Sequence, residues 1–160
     1  MKLLLCFLSV FMLGATDIAS VRQKYVSATT SATAADELYK ILESTPDEST
    51  NTTLVAYKAA ALTLRAKFEK GLLNKKKLFT QGAKLLEAVI KKESANYEAR
   101  VLRLSIQENA PKITGYNKEI DNDKQFIMKN YNNQKADLKT FTKDFVKLSA
   151  SFTKEEKAAF

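Results

Sequence analysis

The chain has 160 residues, a net charge of +8 at pH 7 and 45% hydrophobic residues, enough for one domain with a real core. It contains no histidine and a single cysteine, Cys6, which excludes the common nucleophile–base pairs and most structural zinc sites. Because the sequence contains no catalytic or cofactor motif, we expect a protein that is not an enzyme and binds no cofactor.

The amino terminus has the pattern of a secretory signal peptide. Lys2 precedes an apolar run over residues 3–13, and small residues follow that run. The run is too short to span a bilayer core of ~30 Å, and the alternative to a signal peptide is a buried core helix. We predict a signal peptide over residues 1–19 and a single all-helical domain over residues 20–160. The mature chain should have no transmembrane segment and a periplasmic or secreted location.

Apolar residues at steps of three and four predict three helices in the first half of the chain, over residues 18–28, 33–44 and 53–70. Thr33 is expected to cap the second helix through its side chain. Gly71 is expected to end the third helix, because glycine is common just past a helix terminus. The first two helices should form one pair, and the third should pair with the helix that follows it.

Residues 75–109 predict a helical hairpin. Asn74 can cap its first helix, and Gly82, in the middle of that helix, indicates that another helix crosses closely. The second helix, over residues 96–109, is apolar around most of its circumference apart from one polar stripe. Such a helix must be contacted from two sides, as the inner helices of helical repeat arrays are.

The turn of this hairpin carries a family resemblance. Ala88-Val89-Ile90 followed by Glu93-Ser94-Ala95-Asn96-Tyr97-Glu98-Ala99-Arg100 resembles the junction between tetratricopeptide repeats, with Ser94 where a proline is usual. The spacing from Ala56 to Ala99 exceeds the ~34 residues of a regular repeat, so the repeats would be irregular. We therefore expect an all-α fold, a short irregular α-solenoid of antiparallel helix pairs. The whole chain also resembles small exported helical proteins of Gram-negative bacteria.

The last part of the chain predicts two further helices. Asn117 is expected to open a helix that pairs with residues 96–109, and a long helix is predicted over residues 134–150. The latter has the form of a C-terminal capping helix, with one apolar face for the last repeat and lysines on another face for solvent. Thr153 and Glu156 form a capping-box signature for one final turn. The apolar face of the capping helix comprises Leu138, Phe141, Phe145 and Leu148.

Three alternating acids, Glu119, Asp121 and Asp123, are the one acidic cluster that resembles a metal site. A helix–loop–helix calcium loop needs a glycine at its turn and a glutamate at its end. Phe126 and Asn132 occupy those two positions if Asp121 begins the loop. We therefore predict no metal site and interpret the acids as helix N-terminal residues that complement the helix dipole.

The positive charge is concentrated in the middle of the chain. Residues 54–103 contain twelve Lys or Arg and four Glu, whereas the flanking regions are close to neutral. This distribution favours an anionic partner. The alternative is an ordinary solvated face, which is the better interpretation for Lys75–Lys77, Lys91 and Lys92.

Four cations and one amide on otherwise apolar helices are the candidate ligand site. Arginine presents a planar fork that fits carboxylate or phosphate, and some tetratricopeptide domains clamp a peptide carboxylate with basic residues on their inner helices. The resemblance thus implies a basic inner groove for an acidic peptide or another anion. The alternative is that these residues form salt bridges to Glu98, Glu108 or Asp123. The candidate residues are Lys58, Arg65, Arg100, Arg103 and Gln107.

The resulting functional hypothesis is an exported, non-enzymatic protein-interaction or scaffold module whose partner is a protein or an acidic peptide. The alternative is a binder of an anionic polymer or nucleic acid through the basic central helices. No nucleic-acid motif supports that alternative, and an exported protein rarely meets nucleic acid, so we do not expect it. A hydrolase that uses paired carboxylates would need converging acids, and the acids here are dispersed along helices.

Overall fold

The structure is a computed structural model, and it describes residues 17–160. This part of the chain is all-α, as predicted, and contains no strand. None of its helices is both long and apolar enough to cross a membrane. The predicted signal peptide falls outside the described residues except for residues 17–19, of which Asp17 caps the first helix and the other two begin it. The helices are α1 (Ile18–Ala28), α2 (Ala32–Leu42), α3 (Thr52–Phe68), α4 (Leu72–Lys92), α5 (Tyr97–Asn109), α6 (Ile120–Asn130), α7 (Ala136–Leu148) and α8 (Lys154–Lys157).

Consecutive helices pack as the expected pairs, α1 with α2, α3 with α4, and α5 with α6. The central helix α3 contacts α1, α2, α4 and α5, and α7 contacts α5. One contact reaches further, because Tyr25 on α1 meets the ring of Phe141 on α7 with the ring centroids 6.3 Å apart. The first and seventh helices therefore touch, which stacking of neighbouring repeats alone does not provide. The arrangement as a solenoid stays a prediction.

Two apolar cores share α5. The larger core lies among α1 to α5, and the smaller one combines α5 with α6, α7 and Phe152. Leu102 and Ile106 face the larger core, whereas Val101 and Leu104 face the smaller one. Nine of the thirteen residues of α5 are buried. The expectation that this helix is contacted from two sides is confirmed.

The crossing of α3 and α4 depends on Gly82. A Cβ atom built at this position would lie 2.6 Å from the carbonyl oxygen of Ala59 and 2.7 Å from Cγ2 of Thr63. Contacts below 3.0 Å require something to move, and the first of these two atoms belongs to the backbone of a buried helix. The close helix crossing predicted from this glycine is confirmed.

We expect Gly82→Ala to lower the free energy of unfolding by about 1–3 kcal/mol, because the added methyl group forces α3 and α4 apart. The gain in helix propensity, up to ~1 kcal/mol, is too small to reverse this effect. Urea denaturation followed by circular dichroism measures the change. Gly71→Ala is the matched control, since the nearest atom to its Cβ would be 3.4 Å away. A Gly82→Ala protein as stable as the wild type would contradict the close crossing.

Three predictions about helix ends, for Thr33, Gly71 and Asn74, are wrong. The hydroxyl of Ser31, and not of Thr33, accepts the N–H of Ala34 at 3.2 Å, so α2 begins one residue earlier than predicted. Gly71 does not end α3 but stands at the start of α4, while the Asn74 side chain donates to Glu69 and caps nothing. The first turn of α4 thus extends the predicted helix at its N-terminal end.

The C-terminal region departs from the prediction on one face of α7. The apolar spacing predicts a core position for Leu148, but this residue is 89% exposed, and Thr142 and Val146 are buried instead. Leu138, Phe141 and Phe145 pack against the cores as predicted, whereas Leu148, the last residue of the helix, does not. The predicted capping box is confirmed, with the Thr153 hydroxyl accepting the N–H of Glu156 at 3.2 Å. The helix predicted to open at Asn117 begins at Ile120.

Candidate functional site

Arg100 and Arg103, two of the five predicted site residues, converge on one buried carboxylate. Arg103 donates to both oxygens of Asp123, from Nε at 2.6 Å and from Nη2 at 2.7 Å. Arg100 adds a third bond, from Nη1 at 2.8 Å. Asp123 is 0% exposed, so it is fully desolvated and held by two guanidinium groups. The alternative interpretation, a salt bridge to Asp123, describes the contacts of these two arginines.

The same cluster reaches α4 and the loop after α5. Nη1 of Arg103 donates to Glu87 at 2.8 Å, and the hydroxyl of Tyr116 donates to the other oxygen of Glu87 at 2.7 Å. Burial, and then the hydrogen bond to Glu87, raise the pKa of Tyr116. The guanidinium of Arg100 lies over the ring of Phe126, 4.9 Å from its centroid. The cluster therefore fastens α4, α5, α6 and the intervening loop together.

Lys58 and Arg65 contact a different part of the molecule. Nζ of Lys58 donates to the Thr45 carbonyl at 2.7 Å and to Asp47 at 2.8 Å, both in the loop between α2 and α3. Nε of Arg65 donates to Asp36 on α2 at 2.7 Å. The four predicted cations thus form two groups: Lys58 and Arg65 contact α2 and the loop after it, and the two arginines of α5 contact α6. Each cation has a carboxylate partner.

Gln107, the fifth predicted residue, is 3% exposed, and its Oε1 atom is buried without a hydrogen-bond partner among residues 17–160. Most buried side-chain acceptors in proteins have a partner. Gln107 lies one helical turn after Arg103, whose guanidinium is fully used by Asp123 and Glu87. The assignment of these five residues as a ligand site stays a prediction.

A second buried network, which the sequence did not indicate, joins α1, α3, α5 and α7. Arg22 donates to Glu98 from Nε at 2.7 Å and from Nη2 at 3.0 Å, and to Asp137 from Nη1 at 3.0 Å. The Tyr57 hydroxyl also donates to Glu98. The sequence did contain one indication that Arg22 is buried, because Arg22 stands four residues after Ile18, on the apolar face of α1. Its acidic partners, far away in the chain, carried no such signal.

Several buried tyrosines should make the folded protein less stable at alkaline pH. Burial raises the pKa of Tyr25, Tyr57 and Tyr116, and it raises the pKa of Tyr97 to about 12. Near Tyr57 the negative charge of Glu98 adds to the effect of burial. In the unfolded chain these phenols lose their protons near pH ~10, so the folded state retains protons that the unfolded state has released. Stability is therefore complete below that pH and falls above it.

We expect the free energy of unfolding to fall above pH ~10 by up to ~1.4 kcal/mol per pH unit for each such tyrosine. Tyr57→Phe should make the decline less steep, because the substituted ring has no proton to release. Urea denaturation at a series of pH values from about 8 to about 11 measures the slope, and Tyr39→Phe on α2 is the control. Equal slopes for wild type and Tyr57→Phe would contradict the assignment.

The outer face of α4 carries cations of another kind. Lys76, Lys77, Lys84 and Lys91 are exposed, and within residues 17–160 none of them has a carboxylate within salt-bridge distance. Lys77, Lys84 and Lys91 recur every seven residues, which aligns them along one side of the helix. We call these four residues the α4 lysine face.

Two of the pockets on the described surface are small and open to solvent. One pocket of about 310 Å³ lies between α1 and α2, and one of about 260 Å³ lies where the C-terminal ends of α1, α3, α5 and α7 meet. Each has a single carboxylate in its lining, Glu37 in the first and Glu108 in the second. Residues 17–160 contain no group of acidic side chains placed to hold a metal ion.

Comparison with protein-family models, with curated proteins and with solved structures finds no match to this chain. The resemblance to tetratricopeptide repeats rests on residues 75–109 alone and stays a prediction, as does the resemblance to exported proteins. Function therefore has to be inferred from the surface of the protein and its charges.

Proposed function

We propose that this chain is an exported, non-enzymatic interaction module that binds an anionic partner through the α4 lysine face. The sequence favoured a basic inner groove, whereas the surface proposed here lies on the outside of α4. Three of its four lysines, Lys76, Lys77 and Lys91, were expected to form an ordinary solvated face. It is supported by one observation, the difference between the paired cations of the inner helices and the unpaired lysines of α4.

The cost of displacing existing partners favours the outer face. An anion that binds Arg103 or Arg100 must displace Asp123, and an unpaired buried carboxylate costs several kcal/mol. An anion that approaches Lys77 or Lys84 displaces only water and counterions, because both side chains are exposed. The net charge of +8 adds long-range attraction for any acidic surface.

The non-enzymatic part of the proposal is supported by composition. The chain has no histidine, and its single cysteine, Cys6, lies within the predicted signal peptide. The buried carboxylates Glu98 and Asp123 are already bound by arginines, so they are poorly placed to take a proton from a substrate. A binding surface needs none of these groups.

Charge reversal on α4 tests the proposal. The variant Lys76→Glu/Lys77→Glu/Lys84→Glu is compared with Lys24→Glu/Lys40→Glu/Lys129→Glu, which changes three exposed lysines on other helices and has the same net charge. The probe is poly-L-glutamate, followed by fluorescence anisotropy at low and at moderate salt. We expect binding on the order of 10- to 100-fold weaker for the α4 variant, and a much smaller change for the control.

Two results would contradict the proposal. Equal losses in both variants would mean that binding follows net charge and has no site on α4. An unchanged affinity of the α4 variant, together with a loss on Arg65→Gln, would return the site to the predicted inner groove. Circular dichroism establishes that each variant is folded before binding is measured.

A further inference from the structure

One end of the helix bundle exposes large apolar side chains. Sixteen of the 21 leucines and isoleucines of residues 17–160 are buried or partly buried, but four are almost fully exposed. They are Leu72 at 79%, Leu73 at 85%, Ile113 at 97% and Leu148 at 89%. Single exposed apolar residues are normal on protein surfaces, so their relative positions decide whether they matter.

The four residues share one end of the molecule. Nζ of Lys67, at the end of α3, donates to the Thr29 carbonyl at the end of α1, at 2.7 Å. The open pocket at this place is also lined by Asn109 at the end of α5 and by Leu148 at the end of α7. Leu72 and Leu73 begin α4 directly after α3 ends, and Ile113 follows α5 by four residues. We call Leu72, Leu73, Ile113 and Leu148 the apolar end.

Lysines surround the apolar end. Lys70 precedes Leu72, Lys75 to Lys77 follow Leu73, and Lys112 precedes Ile113. Leu73 and Lys77 are four residues apart on α4, so the apolar end continues directly into the α4 lysine face. The loop at the other end of α3 carries Asp47 and Glu48, whereas the acids at this end, Glu69 and Glu108, each accept a backbone N–H.

These lysines are not explained by helix stability. Cations stabilise the C-terminal end of a helix and destabilise its N-terminal end, where the dipole is positive. Lys75, Lys76 and Lys77 lie near the N-terminal end of α4, and the first turn of this helix contains no acidic residue. The Leu72 and Leu73 side chains beside them are equally unfavourable in water. Lysines near a helix N-terminus and exposed leucines both lower the stability of the folded protein, and their occurrence at one place indicates a binding surface.

We propose that the apolar end docks on an anionic lipid membrane surface, with Leu72, Leu73 and Ile113 entering the acyl boundary and the neighbouring lysines at the phosphate level. This inference rests on the proposed function and names its anionic partner as lipid. Protruding leucines match the acyl boundary, and lysines match anionic headgroups, as in peripheral membrane proteins. The lysine stems can lie along the apolar layer while their ammonium groups remain in water.

A tryptophan reporter tests the docking geometry. The chain has no tryptophan, so Ile113→Trp adds a single reporter at the apolar end. Ser44→Trp places the same reporter in the exposed loop at the opposite end of α3. With the full chain and phosphatidylglycerol vesicles, we expect the emission of Ile113→Trp to shift to shorter wavelength and that of Ser44→Trp to stay unchanged. Because the N-terminal apolar run is present in both proteins, it cannot produce the difference.

Affinity measurements complete the test. We expect Leu72→Ser/Leu73→Ser to bind phosphatidylglycerol vesicles on the order of 10- to 50-fold more weakly, as the loss of two partly inserted leucines implies. Ile41→Ser, an exposed isoleucine on α2, should bind as the wild type does. Vesicles of phosphatidylcholine alone should bind much more weakly than anionic vesicles.

Several outcomes would overturn the lipid assignment. These are an unshifted Ile113→Trp in vesicle-bound protein, a shift of equal size in Ser44→Trp, or unchanged affinity of the double serine variant. A shift of Ile113→Trp with poly-L-glutamate or on self-association, but not with vesicles, would assign the apolar end to a protein. In that case the proposed function would still stand, because its own test uses the lysines and a soluble polyanion.

Discussion

Replacement of Asp123 by alanine is expected to lower the free energy of unfolding by about 3–5 kcal/mol. Asp123 is fully buried and receives three hydrogen bonds from Arg100 and Arg103. Its removal leaves Arg103, which is 3% exposed, with only Glu87 and a more distant Glu119 as counterions. The free-energy cost comes from the buried guanidinium, which loses its main counterion and is not solvated by water in exchange.

The measurement is urea denaturation at neutral pH, with the thermal midpoint as a second readout that should fall by roughly 10 °C. Asp121→Ala is the matched control, since this aspartate lies in the same first turn of α6 but is exposed. It should change stability by no more than about 0.5 kcal/mol. If the two variants were equally stable, the cluster around Asp123 would not be what holds α5 and α6 together.

The second large effect is expected at Glu98. Glu98→Ala removes the partner of both Arg22 and Tyr57, and we expect a loss of about 3–5 kcal/mol. Asp137 still contacts Arg22, but its side chain is 56% exposed and cannot replace a buried carboxylate. The free energy of unfolding from denaturant titration reports the change.

A double variant distinguishes the loss of an ion pair from a general defect at this position. Arg22→Met/Glu98→Leu replaces the pair by apolar groups, and such replacements are often neutral or even stabilising. We expect it to be more stable than Glu98→Ala by at least about 1–2 kcal/mol, a strongly non-additive result. If the double variant were the less stable of the two, the charges themselves would be contributing net stability.

Capping side chains marked some helix starts in this fold correctly and others, such as Thr33 and Asn74, wrongly. Asn96 and Thr153 cap α5 and α8 because each has an oxygen that reaches the N–H three residues later. The start of α4 was not predictable in this way, since Gly71 has no side chain to signal it. Gly82 was informative for the opposite reason, because a glycine inside an otherwise amphipathic helix needs a packing explanation.

The candidate site was harder to predict than the fold. The sequence placed Asp123 among three possible salt-bridge partners of the candidate cations, but it did not indicate which of the cations meet it, because Arg103 and Asp123 meet only once α6 folds back on α5. The apolar spacing of α7 was misleading at one leucine. Leu148 follows the apolar spacing of α7 yet faces solvent, since spacing identifies a face and only packing decides whether something covers it.

The bonds of Arg22 also bear on the order in which the chain can fold. Its two partners lie 76 and 115 residues further along the sequence. While the chain is being synthesised, the buried charge on α1 therefore cannot be neutralised until most of the protein has been made, and early docking on α3 would bury that charge alone. Docking of α1 on α3 is therefore favourable only after α5, which carries Glu98, has been made.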